Sequence, residues 1–99
     1  MIQENFLLES AANGDLESVA YLVRRGVREP LALCCAAENG QVDVVRYLAY
    51  DADQDTRDRA LVAAVEGDHY EVARVLIERG VSPEALDKAR RWATYWAGL

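Results

Sequence analysis

The sequence predicts an all-α fold, a short α-solenoid of stacked antiparallel helix pairs. Three observations predict it. A small-residue pair, two variable residues and glycine recur as Ser10-Ala11-Ala12-Asn13-Gly14, Ala36-Ala37-Glu38-Asn39-Gly40 and Ala63-Ala64-Val65-Glu66-Gly67, with the glycines 26 and 27 residues apart. After the first glycine, Leu16, Val19, Ala20 and Val23 fall at i, i+3, i+4 and i+7, one face of a 3.6-residue period. Finally, 99 residues that are 52% hydrophobic and 28% charged, with six Gly and two Pro, make one folded domain and exclude a disordered, collagen-like or low-complexity chain.

Each unit reads as a first helix, a glycine turn and a second helix. Repeat one spans about 4–27, with Gly14 past the first helix and Gly26 past the second, where a left-handed residue lets the chain turn back. Repeat two spans about 30–53, started by Pro30 after Glu29, turned at Gly40 and continued by a second helix over 42–50. Repeat three spans about 55–81, started by Asp55 before Thr56, turned at Gly67, and closed by a helix over 70–79 and Gly80. It carries one extra residue in Asp68-His69-Tyr70. A C-terminal helix over 83–97 opens on Ser82-Pro83-Glu84, an N-cap, a proline at the first helical position and an acid in the first turn.

An acidic column, Glu17, Asp43 and Glu71, complements the dipole of each second helix, and Leu22, Leu48 and Leu76 form an apolar column. Tyr21 and Tyr47 share another column with Val75 and read as packing on a helix flank. Small residues on the first helices let neighbouring units approach closely, where a larger side chain would overpack the stack. A single pair cannot bury both of its faces, so the pairs must share one core. Trp92 and Trp96 are expected to close that core as a cap, with the alternative that Trp92, Tyr95 and Trp96 form an exposed interface.

Ala36-Ala37-Glu38-Asn39-Gly40-Gln41-Val42-Asp43-Val44-Val45-Arg46-Tyr47-Leu48-Ala49 resembles the second half of an ankyrin repeat, A-A-x-x-G-H-x-E-V-V-K-L-L-L. Gly14-Asp15-Leu16-Glu17-Ser18-Val19 and the run from Glu71 to Val81 carry the same pattern, so the resemblance covers roughly residues 5–81. It implies a non-catalytic protein-binding module. Two features depart from the family. The period of 26 to 27 is shorter than the family's by six or seven residues, missing between Gly26 and Pro30 and between Ala52 and Thr56, where the family carries β-hairpin fingers. The T-P-L-H helix opener is replaced by Leu31-Ala32-Leu33-Cys34 and Asp58-Arg59-Ala60-Leu61. The units are therefore read as finger-less.

Eleven Lys and Arg against seventeen Asp and Glu give a net charge of −6 and a pI near 4.7, which argues against nucleic acid or an anionic membrane as partner. The start Met1-Ile2-Gln3-Glu4-Asn5 is unlike a secretory leader, and no apolar run approaches the length of a membrane span. Cys34 and Cys35, adjacent in an apolar stretch, read as reduced core thiols, and a cytoplasmic location is expected. No cofactor or metal is expected. Asp51, Asp53, Asp55 and Asp58 crowd one turn but lack the glycine and closing glutamate of a calcium loop. The single histidine, His69, lies in a turn where ankyrin repeats place a turn-stabilising His, with no nucleophile beside it, so a small hydrolase is the least supported reading.

Binding is assigned to the concave face of the inner helices and turns. Its expected contact residues are Asn13, Asp15, Glu38, Asn39, Gln41, Glu66, Asp68 and His69, with Arg57 and Arg59 at the start of the third inner helix. The expected function is a small adaptor or inhibitor of a protein partner with a basic patch. It would act as a monomer, or as a homodimer through the C-terminal helix. The alternative is an acidic mimic of nucleic acid that blocks a DNA- or RNA-binding protein.

Overall fold

A computed structural model describes residues 2–92, so Tyr95 and Trp96 lie outside the described residues. The chain forms α1 (Ile2–Asn13), α2 (Leu16–Arg24), α3 (Leu31–Glu38), α4 (Val42–Ala49), α5 (Gln54–Glu66), α6 (Tyr70–Arg79) and α7 (Pro83–Trp92), with no strand among the described residues. Each pair α1/α2, α3/α4 and α5/α6 packs side by side. Across pairs, α3 sits between α1 and α5, α5 also meets α7, and α4 bridges α2 and α6. The result is an inner layer of α1, α3, α5 and α7 and an outer layer of α2, α4 and α6, an α-solenoid 38 Å long by 21 by 19 Å.

The core lies between the layers. Leu7, Leu33 and Leu61 from the inner helices meet Val19, Val44, Val45, Val72 and Leu76 from the outer ones, all buried. Full burial of such a side chain is worth about 1.5–3 kcal/mol. Ala11, Ala36, Ala37, Ala60 and Ala64 are wholly buried on the inner helices and set their close approach. No polar or charged side chain is buried among the described residues.

Local signals fix the helix ends. The Asp15 carboxylate caps α2, accepting from the Ser18 amide at 3.2 Å and the Ser18 hydroxyl at 2.7 Å. Ser82 caps α7 as expected, its Oγ accepting from the Ala85 amide at 3.0 Å. The third inner helix starts earlier than Asp55. Asp53, in extended conformation, caps α5 by accepting from the Thr56 amide at 2.8 Å, and Asp55 lies in the first turn.

The register of the third repeat also differs from the sequence alignment. Gly14 and Gly40 hold the left-handed position at φ +76° and +73°, but Gly67 is at φ −88° and Asp68 takes the left-handed conformation at φ +62°. The turn bonds agree. The amides of Asp15, Gln41 and His69 reach the carbonyls of Ser10, Ala36 and Ala64 at 2.9, 2.9 and 2.8 Å. Ala64-Val65 therefore occupies the small pair's place, and the extra length belongs to α5, which has 13 residues against eight in α3. Asp is among the few non-glycine residues that tolerate this conformation.

Packing refines two expectations. Cys34 and Cys35 are free, half-buried thiols: Cys34 packs against the edge of the core and Cys35 lies beside it, because Leu33, Ala36 and Ala37 fill the fully buried side. At the C-terminal end, the described residues that cover the stack are Ala85 and Ala89, while Trp92 is 60% exposed.

Candidate functional site

The glycine-turn end was expected to be a polar contact stripe, and its residues divide into two groups. Gln41 and His69 turn inward along the stack. Gln41 Nε2 donates to the Ala12 carbonyl at 2.9 Å, its side chain lying over Gly14. His69 Nε2 donates to the Glu38 carbonyl at 3.0 Å, its ring resting on Gly40 and Gly67. Both residues are N-caps of outer helices with nearly identical backbones, φ −86° and −102°, ψ 84° and 83°. Each staples its repeat to the last turn of the preceding inner helix. Arg57 is likewise engaged inside the chain, donating through Nε to the Gly80 carbonyl at 2.6 Å and through Nη1 to the Ala52 carbonyl. These three side chains are structural ties, as expected of His69 in its turn, beside the partner contact expected of all three.

The second group faces solvent. Asn13, Glu38 and Glu66 are exposed at the ends of α1, α3 and α5, and Arg59 is exposed on α5, paired with Asp55 at 3.3 Å. Asn39 is exposed while its Nδ2 closes α3 on the Cys35 carbonyl at 2.8 Å. Asp15 and Asp68 are exposed in the turns. The Ser18 hydroxyl and amide hold the Asp15 carboxyl below the usual carboxylate range.

The inner helices carry a stripe that attention to the polar turns missed. Leu31, Cys34, Cys35 and Glu38 share the side of α3 opposite Ala32, Leu33, Ala36 and Ala37, and Leu31 is 51% exposed. On α5 the equivalent positions are Arg59, Val62 and Glu66, and Val62 opens into a shallow hollow shared with Lys88 and Trp92 of α7. Helical periodicity held the signal: a leucine three and seven residues before Cys34 and Glu38 falls outside the buried arc. Burial raises the thiols of Cys34 and Cys35 above the ordinary cysteine value, with the neighbouring sulfur of Cys35 adding to the effect at Cys34.

The arrangement offers contact area and charge more than chemistry. The Ser18 and Ser82 hydroxyls serve helix caps and the His69 ring serves the inter-repeat bond. Among the described residues no three His, Cys, Asp or Glu converge as metal ligands, and no helix is long and apolar enough to cross a membrane.

A family model described as ankyrin repeats (3 copies) matches residues 7–87. No curated protein and no solved structure matches the chain.

Proposed function

Because the chain belongs to the ankyrin-repeat family, we propose that it is a protein-binding module whose partner seats on the inner-helix face. Ankyrin repeats are generally protein–protein interaction modules and typically non-enzymatic. The observation that carries the proposal is the solvent-facing stripe. Leu31 and Trp92 are 51% and 60% exposed on inner helices whose other sides are packed, so their apolar area is available to a partner. Glu38, Glu66 and Arg59 supply a charged surround, and a partner with a basic patch would gain mainly association rate and specificity from the two glutamates.

In this reading the chain acts as a single-site adaptor or inhibitor, in a reducing, cytoplasmic setting where Cys34 and Cys35 stay thiols. Trp92 makes α7 part of the contact surface. The acidic-mimic alternative gains no support. Asp43, Asp55, Glu78 and Asp87 pair with Arg46, Arg59, Arg74 and Arg91 along the helices, so these carboxylates are interleaved with positive charge.

The test is cross-linked capture from the native host, with identification of the partner and quantitative binding of the purified pair. Leu31→Asp and the charge reversal of Glu38 and Glu66 are expected to abolish capture while far-UV circular dichroism stays unchanged. Undiminished binding by both variants would remove the inner face from consideration.

A further inference from the structure

The end of the stack opposite the glycine turns holds a groove of about 600 Å³ that the inner-face reading does not use. It lies between the C-terminal ends of α2 and α4 and the linkers 25–30 and 50–53, with Arg79 of α6 on its border. The physical cause is the shortness of those linkers. Six and four residues join successive pairs, too few to lay a hairpin across the helix ends. The floor is consequently apolar, formed by Val23, Val27, Leu33 and Leu48, and its size falls within the roughly 300–1,000 Å³ of ligand-binding clefts.

Two tyrosines and two of the three arginines give the groove its chemistry. Tyr47 and Tyr50 stand on its wall, 37% and 72% exposed. Its formal charges balance, Arg28, Arg46 and Arg79 against Glu29, Asp51 and Asp53; two of the acids are engaged by backbone amides, while Asp51 is exposed. Glu29 accepts from the Leu31 amide at 3.1 Å and Asp53 from the Thr56 amide at 2.8 Å. Arg28 is engaged as well, donating through Nη1 to the Val23 and Val27 carbonyls at 2.8 and 3.0 Å, which leaves Arg46 and Arg79 as the cations open to a ligand. The Arg79 guanidinium stacks on the Tyr50 ring, 5.2 Å from its centroid, with no carboxylate of the described residues bound to it. Arg46 reaches only Asp43, at 3.6 Å between exposed groups. On a chain of net charge −6, the groove thus offers available guanidinium donors beside an aromatic wall.

We propose that this groove docks a short extended segment of a partner protein, an aromatic side chain resting between Tyr47 and Tyr50 and an adjacent carboxylate on Arg79 and Arg46. Charge complementarity selects an acidic segment, because a planar guanidinium meets a carboxylate through two parallel hydrogen bonds. Tyrosine and arginine together are the residues that most often anchor such contacts. The groove opens to solvent along Tyr50, Asp51 and Asp53, which admits a continuous chain passing through. This site stands apart from the inner face and does not depend on it.

The test titrates the full chain, ¹⁵N-labelled, with dye-labelled, end-blocked hexapeptides carrying a Glu-Phe or Phe-Glu core, against Lys-Phe, Gln-Phe and Glu-Ala counterparts. One of the acidic-aromatic peptides is expected to bind saturably and at least tenfold more tightly than the Lys-Phe peptide. It should shift amides in 27–29 and 46–53, and lose at least tenfold in affinity with Arg79→Gln or with Tyr50→Ala. Glu38→Arg on the inner face should leave the affinity unchanged. The proposal is overturned if neither acidic-aromatic peptide is preferred, if both groove variants bind as the parent does, or if the shifts map to the inner face. A concentration-dependent dimer that Tyr47→Asp dissociates, seen by sedimentation, would overturn it in favour of a second copy as the occupant.

Discussion

A single methyl group on Gly40 tests whether the repeats are held in register by the His69 staple. At φ +73° an alanine carries the left-handed penalty of about 1–2 kcal/mol. A Cβ there would also stand 2.6 Å from His69 Nδ1 and 2.7 Å from Cε1, so the ring must leave and its bond to the Glu38 carbonyl breaks. That bond is worth about 0.5–1.5 kcal/mol net, which brings the cost of Gly40→Ala to about 2–3 kcal/mol. His69→Ala in the parent should cost about 1 kcal/mol for the same bond. In the Gly40→Ala background it should cost almost nothing, because the bond is already lost, giving a coupling of about 1 kcal/mol. Urea unfolding followed by far-UV circular dichroism measures all three variants. In a domain of this size each kcal/mol also moves the melting temperature by about 4–8 °C. If His69→Ala costs the same in both backgrounds to within about 0.3 kcal/mol, the staple is not what the methyl group disrupts, and the reasoning fails.

Other expectations follow from the same geometry. Arg57→Ala removes two donors that tie the second linker and the end of α6 together, and should cost about 2 kcal/mol in urea unfolding. Arg57→Lys should recover less than half of that loss, since an ammonium cannot span the two carbonyls with a planar fork; full recovery would contradict this. The Thr56 amide, and then its side chain, hold the Asp53 carboxyl below the usual aspartate value of 3.8. Its contribution to stability is therefore complete above that value and lost as pH falls through the depressed one. Asp53→Ala should melt below the parent at neutral pH and converge with it as pH falls well below 3.8, and a gap that persists in strong acid would refute the cap. Ala37→Leu, at a wholly buried site between α3 and its neighbours, should destabilise by about 1–3 kcal/mol through overpacking. Unchanged stability would mean that the inner helices have room to part. Cys34 and Cys35, raised by burial, should react with iodoacetamide at neutral pH more slowly than free cysteine, a rate read by mass spectrometry. Faster alkylation than the free amino acid would contradict that environment.

The proposed binding surface was legible in part. Glu38, Glu66 and Arg59 lie on the inner helices as expected, since their place follows from helical period alone. Leu31 and the groove at the linkers were not seen. An apolar residue near a helix start reads as core until the packing of Leu33, Ala36 and Ala37 shows which side is filled. A cavity between three repeats has no signature in any one of them. Trp92 illustrates a choice that the sequence left open, cap or exposed interface: it is exposed, while Ala85 and Ala89 pack on the stack.

What the sequence determined by itself is what depends on neighbours a few residues away. The helix pairs, their apolar stripes, the Ser82 cap and the left-handed turns at Gly14 and Gly40 all rest on contacts within one unit. Only the tertiary structure decided the tasks of Gln41 and Arg57 and the acceptor of His69, the bonded carbonyls lying 29, 23 and 31 residues away in sequence. It also moved the third turn onto Asp68 and left the helix ends open as a groove. The physical reason is common to all of these. A polar side chain at a repeat's edge chooses between solvent and the neighbouring repeat's carbonyls, and that choice is set by how the repeats stack.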